Sequence, residues 1–99
     1  MDKESWLASK VMGYKLRHSH KKTNYWYEKE DGEYIVSAKD WNPSENIEQA
    51  EQLIDKFDCY EINKVFIDYQ VTVKKISVAH GVLSQAIVEV VLKVSGYHG

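Results

Sequence analysis

Residues 17 to 27 read RHSHKKTNYWY, which sets Arg17, His18, His20, Lys21 and Lys22 ahead of Tyr25, Trp26 and Tyr27. Cations beside an aromatic ring can recognise nucleotides: guanidinium and ammonium groups hold phosphate by charge-assisted hydrogen bonds, and the ring stacks on a base. Arg17, His20, Lys21, Lys22 and Trp26 therefore form a candidate ligand patch. Trp41 joins it as an aromatic just ahead of a helix start, where free backbone amides attract anions. A plainer role competes: the cations keep a loop soluble while Tyr25 and Tyr27 enter the core. Trp41 in turn would pack under its helix.

His18 and His20 also invite a metal, since imidazole is a common zinc and copper ligand. Two ligands fall short of a site. Cys59, His80 and His98 stand in other segments, at spacings foreign to structural zinc motifs. A nucleophilic pair of Cys59 with His80 lacks any neighbour that would lower the thiol pKa or hold an oxyanion, so a buried or half-buried structural cysteine is expected. The acidic groups of EKEDGE belong to a turn, and no glycine-rich phosphate loop occurs. No catalytic residue, metal or cofactor is expected.

The elements that must position these residues fit in one domain spanning residues 1–99. The chain is 43% hydrophobic and 28% charged, which suits a globular domain with one core. A net charge of −2 disfavours general nucleic-acid binding, which relies on bulk positive charge. A single cysteine excludes an intrachain disulfide, and MDKESWLASK has no signal-peptide character. No stretch is long and apolar enough for a bilayer. The cytoplasm is the expected location.

Leu7, Val11 and Tyr14 mark a short first helix within residues 4–14, with Gly13 as its stop. KLRHSHKKTN, without period, reads as a polar loop. Asp31-Gly32 suits a two-residue hairpin turn that pairs Lys29 with Tyr34, Tyr27 with Val36 and Tyr25 with Ala38, leaving Trp26 on the less buried face. A second helix begins after Pro43, with Asn46 as N-cap, Gln49 reaching back to it, and an apolar face of Ile47, Ala50, Leu53, Ile54 and Phe57.

From Cys59 to Val78 the chain is β-prone, and from Val65 to Lys74 it alternates, with Val65, Ile67, Tyr69, Val71 and Val73 on the buried face. Lys74-Lys75 is a poor turn, which leaves open whether ISVAH forms a separate strand. Leu83, Ala86, Ile87, Val90 and Val94 then follow a helical period, with Ser95-Gly96 as the stop. Val88, Val91 and Leu92 widen that stripe so far that the helix is either central or part of a subunit interface. These three are the candidate interface residues. The expected fold class is α+β: helix, hairpin, helix, strand or strands, helix, with the helices packed on a mainly antiparallel sheet.

WLASKVMGY, DWNPSENIEQAEQLIDKF and LSQAIVEVVLKVSG together resemble the phage ABA sandwich domain family, small proteins of bacteriophages and prophages of Gram-positive bacteria. The shared pattern lies in Val11, Met12, Gly13 and Tyr14; in Trp41, Asn42, Pro43 and Ser44; and in Ala86 with Ile87. The resemblance implies an α-β-α sandwich and a bacterial host, and it transfers no active-site residues. Two functions follow as expectations. One is a non-catalytic module that binds a phage or host protein, or its own copy, through exposed apolar surface. The other is an anti-defence protein that sequesters a nucleotide-type signalling molecule, an expectation resting on analogy.

Overall fold

A short capped helix opens the chain in the computed structural model, which describes residues 2–21 and 24–98. The Asp2 carboxylate accepts the Ser5 amide at 2.8 Å and starts α1 (Lys3–Trp6). The helix runs on as a π-helical stretch, Leu7–Val11, closed by the Met12 amide on the Leu7 carbonyl at 3.0 Å. Gly13, at φ +74°, then turns the backbone so that Tyr14 enters the core.

Three antiparallel strands follow, β1 (Lys15–His18), β2 (Tyr25–Glu28) and β3 (Tyr34–Ser37), in the order β1-β2-β3. The start of the expected polar loop is therefore a strand. All four β1 side chains are exposed, so it carries no hydrophobic alternation, and backbone pairing with β2 defines it. The hairpin turn is also longer than expected. The Lys29 carbonyl accepts the Gly32 amide at 2.9 Å and the Lys29 amide donates to the Glu33 carbonyl at 2.8 Å, with Gly32 at φ +91°. This is a turn followed by a left-handed bulge residue. Glu28 thus pairs with Tyr34, and a bulge between Tyr27 and Glu28 restores the expected Tyr27–Val36 pair.

Helix α2 (Ile47–Ile54) starts at Asn46, whose side chain accepts the Gln49 amide at 3.1 Å. The Gln49 side chain does not reach back to Asn46. It accepts the Asn42 amide at 2.7 Å and donates to the Asp40 carbonyl at 2.9 Å, bracing the chain that leads into the helix. Ala50, Leu53 and Ile54 are buried.

The second sheet has the order β4-β5-β6, with β4 (Tyr60–Val65), β5 (Asp68–Val73) and β6 (Ile76–His80). The expected alternation holds within β5, where Val71 and Val73 are buried, but not at Val65 and Ile67, which are exposed. Phe66-Ile67 turns the chain two residues into the alternating stretch, with Phe66 at φ +57°, and Lys74-Lys75 turns it again at φ +50° and +70°. Val71, Val73 and Val78 form the buried face, and α3 (Leu83–Val94) packs on β5, β6 and α2.

The fold is α+β with antiparallel pairing, and its strands are divided between two three-stranded sheets instead of forming one. Residues of both sheets and of α2 and α3 share one core. Burial of each Val, Leu or Ile side chain there contributes about 1.5–3 kcal/mol. Buried Ser84 ties α3 to the segment before α2 by donating to the Ser44 carbonyl at 2.7 Å. The molecule measures 49 × 24 × 23 Å.

Candidate functional site

Pairing of β1 with β2 sets Arg17 opposite Trp26 and His18 opposite Tyr25. Successive strand residues point to opposite faces, so Arg17 and His18 cannot converge. On the Arg17 face, Glu28 bridges two side chains: one carboxylate oxygen accepts from Arg17 Nε at 3.3 Å and the other from Trp26 Nε1 at 2.6 Å. The ion pair, exposed on its Arg17 side, contributes little to stability, and its carboxylate sets negative charge beside the guanidinium. His18 packs its ring against Tyr25, centroids 5.8 Å apart. His20 and Lys21 are exposed beyond β1, and Lys22 lies outside the described residues.

Trp41 does not belong to this patch. It is 3% exposed and packs edge-on against Tyr14 and Tyr27, with its Nε1 donating to the Glu4 carbonyl at 2.8 Å. Its role is to fasten α1 to the segment before α2, and no ligand can stack on it. Burial in the same cluster raises the Tyr14 pKa above its ordinary value of 10.0. Next to Trp26 an open groove of about 420 Å³ is lined by Tyr25, Tyr34, Ser37 and Lys39, among others.

The proposed interface on α3 is likewise corrected. Val91 is 0% and Val88 2% exposed, both inside the single chain, and Leu92 is half-buried. The helix is apolar around most of its circumference because sheet and helix cover it from different sides. Cys59 is exposed, contrary to expectation, because it precedes the uncovered strand β4. It lies at the opposite end of the second sheet from His80, since Tyr60 aligns with Val73 and Ile76 while Lys64 aligns with Tyr69 and His80. Among the described residues no three His, Cys, Asp or Glu side chains gather as metal ligands would. No helix among them is long and apolar enough to cross a membrane.

The most exposed large apolar side chains lie at the β4–β5 turn, within the stretch expected to be a strand. Phe66 is 94% and Ile67 83% exposed, and Val65 beside them is also exposed. A turn signal such as Asn-Gly would have revealed the tip, and the sequence has none there.

The chain matches no family model and no curated protein. Its structure is similar to the crystal structure, at 2.0 Å, of a phage protein from Bacillus cereus. The TM-score is 0.54 and the identity 22%, over 92% of this chain and 86% of that one. At that identity the likeness establishes a shared fold.

Proposed function

We propose that this is a small, non-catalytic phage or prophage accessory protein of the ABA sandwich kind, which binds another protein, from phage or host, through the β4–β5 tip. The observation that carries this reading is Phe66: nearly all of its side chain is in water and its backbone is left-handed. A β-carbon makes that conformation cost about 1–2 kcal/mol. An exposed side chain gives the core nothing in return, and strained, solvent-facing residues cluster at binding sites. The shared fold with a phage protein supports the phage setting. The test is affinity capture from lysogenic bacterial cells with wild type and with Phe66→Ser/Ile67→Ser. A protein retained by wild type and lost by the folded variant is the expected result. Identical capture by both would sink the reading.

The groove beside Trp26 favours a second reading, capture of a nucleotide-type signalling molecule between its rings and Lys39. It ranks second because Glu28 places negative charge beside Arg17. Native mass spectrometry of protein purified from bacterial cells decides it. Extra mass lost on denaturation, and absent from Trp26→Ala, supports capture; retention of that mass by Trp26→Ala rules this groove out.

A further inference from the structure

The two sheets present four edge strands, β1, β3, β4 and β6. An edge strand exposes unpaired backbone amides and carbonyls that recruit another strand unless they are shortened, bulged, charged or covered. β1 is four residues long and carries Lys15, Arg17 and His18; β3 is as short and faces a bulge; β6 is one residue shorter than β4. β4 is the longest of the four and is neither bulged nor covered, and its two charges, Glu61 and Lys64, are of opposite sign. It runs for six residues, pairs with β5 without a register shift, contains no proline and is exposed throughout.

The direction of its amides follows from the turn. A two-residue turn is closed by a hydrogen-bonded pair, here Val65 and Asp68, so Asn63 and Glu61 also turn their amides toward β5. Tyr60, Ile62 and Lys64 therefore turn theirs to the free edge. The geometry points to a second copy of this chain as the occupant of that edge, its β4 antiparallel to this one about a two-fold axis at Ile62.

Charge and pairing select that register. A two-fold axis at Glu61 sets two carboxylates against each other, and one at Asn63 sets each Lys64 against an apolar Ile62; both pair only two outward-facing residues per strand. An axis at Ile62 pairs three. It places Ile62 on its own copy and each Lys64 ammonium against the other copy's Tyr60 ring. The Tyr60 hydroxyl donates to Asp55 at 3.2 Å, so a carboxylate stands behind that ring. The contact is isologous and closes as a dimer, giving a continuous six-stranded sheet. Phe66 and Ile67 lie beyond the paired segment, so this pairing and partner binding at the tip stand or fall separately.

Sedimentation of wild type, from micromolar to millimolar concentration, is expected to show a species of twice the 11.5 kDa chain mass. Ile62→Pro removes only an amide that faces the free edge, and should sediment as a monomer with its cooperative unfolding intact. In a Cys59→Ser background, Ile62→Cys should form an intermolecular disulfide across the axis and Asn63→Cys should not. A wild type monomeric over the whole range overturns the proposal, as does a dimer that crosslinks through position 63 or through neither position.

Discussion

Phe66 holds a backbone conformation that its β-carbon resists, while its ring contacts almost only water. Phe66→Gly should therefore raise stability by about 0.5–1 kcal/mol, the relieved strain less the added freedom of the unfolded chain, as measured by urea denaturation. A loss of stability would show that the ring packs after all. Tyr14 makes the opposite case of a side chain enclosed by its neighbours. Below pH 10 its phenol is protonated whether folded or unfolded; above it the unfolded chain ionises first, because burial raises the folded value. Its contribution is thus complete below pH 10 and lost as pH rises through the raised value. Tyr14→Phe should shift the alkaline unfolding midpoint upward. Side-chain roles were partly legible: Tyr27 is buried as strand counting implied, but Tyr25 and Tyr34, expected on the same buried face, are exposed while Trp26 is half-buried. The burial of Trp41 depends on Tyr14 and Tyr27, far away in the chain, and no local pattern encodes that meeting.

At the level of elements, the helices were legible because their signals are local. Asn46 caps α2 as expected, and the apolar period of α3 ends at Gly96, at φ +83°. The second sheet was obscured by its turns. Lys74-Lys75 has both residues left-handed, a conformation that favours Asn-Gly, so the strand break was hard to read in a lysine pair. Replacing the pair with Asn-Gly should stabilise the β5–β6 hairpin by about 1 kcal/mol, read as a higher denaturation midpoint with an unchanged slope. β1 was missed for another reason: an exposed strand leaves no hydrophobic imprint, and only its partner β2 makes it a strand.

At the scale of the whole molecule, α3 joins α2 to the second sheet. Val91→Asp should unfold the chain, at a cost of about 3–5 kcal/mol from an unpaired buried charge, as seen by circular dichroism; a folded variant with altered association would restore α3 as an interface. The breadth of the α3 stripe left its setting undecided between core and interface, because periodicity reports how much of a helix is covered and not by what. One contact in this assembly has a practical use. The Trp6 indole donates to the Ser95 hydroxyl at 2.9 Å, and its ring meets Tyr97 edge-on with centroids 5.6 Å apart. The first and last turns of the chain are therefore neighbours. A short linker between residues 98 and 2, with the chain opened in the solvent-facing loop at Asp31-Gly32, should yield a circular permutant with the same fold, because order along the chain matters less to this core than which segments touch.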